Sequence, residues 1–184
     1  HKMRYGYVGL GNLGGNLASS LCKAGFAVTV TDIDPALGDR LVKLGATWAA
    51  TPAEVAANSD HVFTCLPSPT VSENVLAQIL PHMAVGATWI ENSTLGRDDI
   101  LRLGQLAEDS GVRLMEAPVT GGVHLAGRGE ITVLAGGDKD LYDLHLPALQ
   151  AIGGKIFHMG PLGSAAIIKV ITNMLAFIHL VADG

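Results

Sequence analysis

The stretch "YVGLGNLGGNLA", Tyr7 to Ala18, decides the fold. Gly9, Gly11 and Gly14 stand in a G-x-G-x-x-G spacing between a short apolar run and a segment of helical periodicity. Gly9 permits a tight turn. Gly11 lets a pyrophosphate approach the main chain, and Gly14 lets the helix sit close on the strand, a small face that Ala18 continues. The helix amino terminus adds free N–H groups and a partial positive charge. Such a motif alone says little, but here the strand–loop–helix context is right. Asp32 also follows at the end of the next apolar run, "FAVTVTD" (26–32). An acid there hydrogen-bonds the adenosine ribose hydroxyls and repels a 2′-phosphate. No Arg or Lys occurs from Ile33 to Asp39, so NAD is favoured over NADP. Leu10, Asn12 and Leu13 complete the expected cofactor loop. Asp34, before Pro35, reads as the cap of the next helix.

Beyond this loop, short apolar runs keep alternating with helical patterns. Strands are predicted over 4–10, 26–32, 61–67, 86–92, 112–118, 130–137 and 155–160. Helices are predicted over 12–25, 35–43, 97–111 and 139–151. "TPAE" (51–54) and "TVSE" (70–73) read as capping boxes that open two further helices, the second running to about Leu80. This alternation predicts an α/β fold, a Rossmann-like doubly wound, mostly parallel sheet with helices on both faces. Residues 1–160 are predicted to form the dinucleotide-binding domain. Residues 161–184 read as the start of a long inter-domain helix leading to a second, all-α domain beyond Gly184.

Composition excludes several classes. The formal net charge is −5 with the basic residues scattered, so no basic face is expected for nucleic acid. The seven histidines show no ligand spacing and the two cysteines no CxxC pair, so no metal site is predicted. Cys22 and Cys65 read as reduced thiols of a cytoplasmic protein. The apolar segment 163–182 is long enough to span a bilayer, but Lys169, Asn173 and His179 interrupt it, and no membrane span is expected.

Lys169 and Asn173 are the candidates for the chemistry; the alternative is a lysine that reaches to the surface and an amide that bonds a neighbouring loop. Four residues apart, they share one face of a helix in the apolar run "GPLGSAAIIKVITN" (160–173). Hydride transfer from an alcohol leaves a proton to be removed. A lysine beside an apolar wall and a positively charged ring has its pKa lowered, which suits a general base or, in reverse, an acid. A second element, "EAPVTGGVHLAGRG" (116–129), places Thr120, Gly121 and Gly122 after a strand. One hydroxyl and two unobstructed N–H groups make a nest suited to a carboxylate.

These motifs, with "GLGNLGGNLA" (9–18), occur in an order and spacing that resemble the β-hydroxyacid dehydrogenase family, which includes 3-hydroxyisobutyrate dehydrogenase and tartronate semialdehyde reductase. The resemblance covers the chain from Met3 onward. It implies that Lys169 is the catalytic acid/base and that Asn173 positions the substrate. It also implies that Thr120, Gly121 and Gly122 bind the substrate carboxylate, that Leu66 and Pro67 line the adenosine side, and that Thr94 lies near the nicotinamide ribose. The family's helical second domain implies a homo-oligomer. Thr120 stands where Ser is usual, and Ala165 where Gly is frequent. Val71 replaces a cofactor-contacting Asn of some members. Two rival readings share the scaffold: a reductase of imines or phosphorylated sugar acids, and a catalytically silent dinucleotide-binding module.

Overall fold

The computed structural model describes residues 3–168 together with 171, 174 and 175. Lys169, Asn173 and His179 lie outside the described residues. The chain runs β1 (Arg4–Val8), α1 (Asn12–Lys23), β2 (Ala27–Thr31), a 3₁₀ turn (Pro35–Gly38), α2 (Asp39–Lys43), β3 (Thr47–Trp48), α3 (Pro52–Ala57) and β4 (His61–Thr64). It continues with α4 (Pro69–Ile79), β5 (Thr88–Glu91), α5 (Arg97–Asp109), β6 (Arg113–Glu116), β7 (Val119–Thr120), α6 (Gly122–Gly127), β8 (Ile131–Gly136), α7 (Lys139–Ile152) and β9 (Gly153–Gly160).

β1 to β6 lie parallel in the order β3-β2-β1-β4-β5-β6, and β8 runs antiparallel beside β6. This is the predicted Rossmann-like sheet. Strand order reverses between β1 and β4, and a crevice opens at such a switch point outside the carboxyl ends of the strands. β7 carries on from β6 past Pro118, whose carbonyl accepts from Leu134 N at 2.9 Å, and pairs with the first half of β8. β9 lies parallel on the other side of β8.

Alternation along the strands feeds two cores. Tyr5, Tyr7, Val28, Val30, Phe63 and Ile90 pack with Leu17, Leu21, Leu41 and Leu149 of α1, α2 and α7. Val8, Val62, Trp89 and Leu114 pack with Val55, Leu76, Ile79, Ile100 and Leu103 of α3, α4 and α5. Each fully buried Leu here contributes enough that truncation to Ala costs about 2–5 kcal/mol. α3 sits directly on β1, since a Cβ at Gly6 would lie 2.4 Å from Val55 Cγ1.

Several boundaries differ from the sequence reading. The second capping box is displaced: Ser68, not Thr70, caps α4. Its hydroxyl accepts from Val71 N at 3.2 Å, and Pro69 takes the first helical position, where a missing N–H does no harm. Thr51 caps α3 as expected, accepting from Glu54 N at 3.2 Å. The predicted 35–43 helix divides at Gly38, where a Cβ would lie 2.4 Å from the Trp48 ring. Three of these elements went unpredicted. β3 and β7 have two residues each, too few for periodicity, and α6 is bracketed by glycines.

The amino ends of the strands hold a buried polar cluster. Tyr5 OH hydrogen-bonds His145 Nδ1 at 2.8 Å, and His145 Nε2 hydrogen-bonds Thr88 Oγ1 at 2.8 Å. Thr88 N donates to His61 Nδ1 at 3.0 Å, so that nitrogen is unprotonated. The two imidazoles meet edge to face at 4.4 Å. Burial, and then the neighbouring His61, depress His145 from its ordinary 6.5 to about 3. An unfolded chain binds that proton below pH 6.5 and the folded one does not, so this part of the stability is lost as pH falls from about 6.5 toward 3. Denaturant melts of wild type and His145→Gln should therefore show a substitution cost that shrinks by about 2 kcal/mol between pH 7.5 and pH 5. Comparing the two proteins cancels the carboxylates that titrate in the same range. A cost independent of pH would contradict a neutral buried His145.

Candidate functional site

The glycine loop leaves β1 through Gly9, whose φ is +99°. A Cβ here would lie 2.1 Å from the Cys65 carbonyl oxygen, and one at Gly14 2.1 Å from the Gly9 carbonyl oxygen. Three segments of main chain therefore touch at a point where no side chain fits. Gly11 differs: a Cβ there meets nothing within 4 Å. It is the N-cap of α1, and no side chain caps that terminus. Open space over an uncapped helix start is a cradle suited to a pyrophosphate.

Asp32 stands beside this cradle. Its Oδ2 accepts from Leu10 N at 2.7 Å and its Oδ1 from Asp34 N at 2.8 Å. The carboxylate is thus oriented by main chain on both oxygens, with further lone pairs left for hydroxyl donors. Asp34 caps the following turn, accepting from Ala36 N at 3.1 Å. Leu66 reaches under the loop, its Cδ2 being 3.1 Å from where a Gly9 Cβ would stand. Leu66 N donates to Ser93 Oγ at 2.5 Å. Pro67 and Thr94 are exposed beside these contacts. Gly121 and Gly122 follow β7 with φ of +127° and +85°, and Thr120 before them is half-buried. Asn16 of α1 donates to the Val123 carbonyl at 3.4 Å, which ties the 120–122 loop to the glycine-loop helix.

The sequence reading missed two buried acids. Glu91 and Glu116 are the last residues of β5 and β6 and are register partners. Glu91 is fully buried. Its Oε1 accepts from Ser93 N at 2.9 Å, so Glu91 holds Ser93, which in turn holds Leu66. Oε2 and the buried Ser72 Oγ lack a hydrogen bond of normal geometry, although they lie close enough to interact. Burial, only partly offset by Ser93, Ser72 and Thr64, pushes Glu91 up to about 7. Glu116 accepts from Gly163 N and, at 2.6 Å, from Ala166 N. An acid closing each of two buried runs, "TWIE" and "RLME", was the available signal, because a buried carboxylate needs partners.

A groove of about 330 Å³ lies apart from these loops, lined in part by Leu101, Gly104, Leu114, Leu141 and Leu162. Arg113 on its rim is paired with Asp138 and Asp140. Among the described residues, no group of three or more His, Cys, Asp or Glu is placed to hold a metal, and no helix is long and apolar enough to cross a membrane.

A model of the NAD binding domain of 6-phosphogluconate dehydrogenase matches residues 4–160. The chain belongs to this family. As an NAD-binding domain of the 6-phosphogluconate dehydrogenase type, it has relatives of differing names. Human cytokine-like nuclear factor N-PAC is 32% identical over 98% of this chain and 34% of its own length. The mitochondrial 3-hydroxyisobutyrate dehydrogenase of Drosophila melanogaster is 35% identical over 96% of this chain and 55% of its own. The 3-hydroxyisobutyrate dehydrogenase of Mycobacterium tuberculosis, solved with L-serine, superposes with a TM-score of 0.95 at 28% identity, over 99% of this chain and 62% of that one. The chain thus spans between one third and two thirds of the length of these relatives.

The two kinds of glycine separate binding from folding. Gly11→Ala should leave the melting temperature within about 2 °C, because a Cβ there meets nothing. It should nevertheless weaken NAD binding at least tenfold by calorimetric titration. Gly9→Ala should destabilise the fold itself, by about 3 kcal/mol or more. Equal NAD affinity in Gly11→Ala and wild type would place the pyrophosphate elsewhere.

Proposed function

We propose that the protein carrying this chain is an NAD-dependent oxidoreductase that moves hydride between the nicotinamide cofactor and a small β-hydroxy acid or its semialdehyde. The carrying observation is the convergence on one sheet edge of the open Gly11 cradle, the oriented Asp32 carboxylate and the 120–122 loop. Membership in an NAD-binding family and similarity to 3-hydroxyisobutyrate dehydrogenases support the reading.

The roles are divided among these residues. The main chain of Gly9, Leu10, Gly11, Asn12, Leu13 and Gly14 receives the pyrophosphate. Asp32 accepts from the adenosine ribose hydroxyls and repels a 2′-phosphate, so NAD is preferred over NADP. Leu66 and Pro67 cover the adenosine side, and Thr94 stands by the nicotinamide ribose. Thr120 Oγ1 and the N–H groups of Gly121 and Gly122 hold the substrate carboxylate. The cofactor, when bound, supplies a hydride acceptor. Lys169 Nζ takes the hydroxyl proton as the alcohol carbon loses hydride, and returns it in the reverse direction. Asn173 orients the same oxygen. The partners are a small carboxylate and a second copy of the protein.

The silent-module reading rests on N-PAC, a relative named as a nuclear factor and not as a dehydrogenase. The two readings differ at Lys169. In the full-length protein, Lys169→Ala should leave NAD affinity nearly intact and reduce turnover of 3-hydroxyisobutyrate or L-serine by roughly two to four orders of magnitude. Lys169→Arg should rescue little, because a guanidinium stays protonated. Near-normal turnover in Lys169→Ala would end the catalytic reading. A wild type that binds NAD but turns over no hydroxy acid would favour the silent module.

Asp32→Ala should narrow the gap between NAD and NADP affinities mainly by weakening NAD. Titration of both cofactors against both proteins measures this, and equal affinities in wild type would overturn the NAD assignment.

A further inference from the structure

Glu116 is a buried acid, 1% exposed. Two main-chain donors hold it, Gly163 N on Oε2 and Ala166 N on Oε1. These are orphan N–H groups of the first turn of the helical residues 164–168. Of the neighbouring donors, Ser164 N is satisfied by the Pro161 carbonyl at 3.0 Å, and Ile167 N makes the helical bond to the Gly163 carbonyl at 3.3 Å. Glu116 therefore acts as a side-chain cap supplied from a strand 47 residues earlier. A carboxylate at a helix amino terminus is favourable both as an acceptor and against the helix dipole.

The surroundings are shaped around this contact. A Cβ at Gly136, the register partner of Glu116, would lie 2.8 Å from Oε2, so only glycine leaves room for the carboxylate. Gly163 has φ of +96°, and a Cβ there would lie 3.2 Å from Arg97 Cγ. Ala165 and Ala166 are buried against the domain. Burial raises the Glu116 pKa, and the two N–H groups and Arg97 oppose that rise. β6, which ends at Glu116, leads through Ala117 and Pro118 into Val119–Thr120 and the 120–122 loop. Lys169 comes three residues after Ala166 in the chain.

We propose that Glu116 is a positioning residue, whose carboxylate pins the start of the Lys169-bearing segment to the strand that carries the substrate loop, so that both are held to one anchor. This rests on the reading of Lys169 as the acid/base group. Glu116 touches no reacting atom. It fixes where the lysine stands relative to the bound carboxylate, and a misplacement of about 1 Å costs roughly a hundredfold in rate.

The test uses the full-length protein, with Glu116→Gln, Glu116→Asp and Lys169→Ala in parallel. The amide of Gln presents one donor toward a pair of donors, so one contact becomes repulsive. Hydrogen exchange of segment 163–168 should speed up in Glu116→Gln, a readout independent of turnover. With 3-hydroxyisobutyrate or L-serine as probe, kcat should fall by roughly ten- to a hundredfold well below the melting temperature. NAD affinity should stay within about twofold, KM should change less than kcat, and the solvent isotope effect on kcat should rise. Glu116→Asp keeps the charge with a shorter reach and should fall between wild type and Gln, which also serves if Gln does not fold. Unchanged exchange at 163–168 overturns the anchor. Faster exchange with normal kcat, while Lys169→Ala is inactive, overturns the positioning role alone. An active Lys169→Ala overturns the acid/base reading beneath it.

Discussion

The contact among Gly9, Gly14 and Cys65 is the constraint on which the cofactor end of the molecule depends. Three pieces of main chain meet there so closely that a single methyl would displace one of them. That closeness sets α1 against β1 and β4 at the strand-order reversal and aims the helix start outward. It also places Leu10 N where Asp32 can accept from it at 2.7 Å. Asp32 and the glycine loop are consequently one unit.

The same logic of close approach extends along the carboxyl edge. Thr31, Val8, Thr64, Glu91, Glu116 and Gly136 are successive register partners across six strands. Two of them are buried acids with different partners. Glu116 receives two N–H groups. Glu91 receives one and keeps an oxygen without a hydrogen bond, so burial pushes it up to about 7. The amino edge carries the opposite chemistry, with neutral imidazoles whose protonation burial resists. Acidification thus weakens the amino edge through His61 and His145 and favours the folded state through Glu91, and the two ends oppose each other in any stability profile.

How much was legible followed from the kind of signal. The glycine loop, Asp32 and the sheet were read because each depends on local residue type at fixed spacing. Thr51 and Asp34 were read as caps for the same reason. Ser68 was overlooked because a second Ser/Thr-x-x-Glu pattern overlapped it, and the proline at the first helical position decides between them. Glu91 and Glu116 were not read as site residues. Their partners lie on other elements, and a strand-ending acid looks the same in sequence whether solvated or buried. The antiparallel placement of β8 was invisible for a similar reason: strand direction is settled by the chain's path and not by composition. Lys169 and Asn173 were read from their chemistry together with the family resemblance, and their roles rest on the proposal above.

β9 has a colloidal consequence. Among the described residues it pairs only with β8, and no other described strand lies on its far side. An open edge of eight residues with a half-exposed Phe157 invites another chain to add a strand. The strand resists this in three ways. Its ladder slips register at Ile131/Thr132 and again at Ala135/Gly136. Glycines occupy its first two positions and its last, and Lys155 places a charge on it. A broken, glycine-rich, charged edge is a poor template for self-association. The irregularity that spoils β9 as a regular strand also makes it a poor surface on which a sheet could grow between molecules.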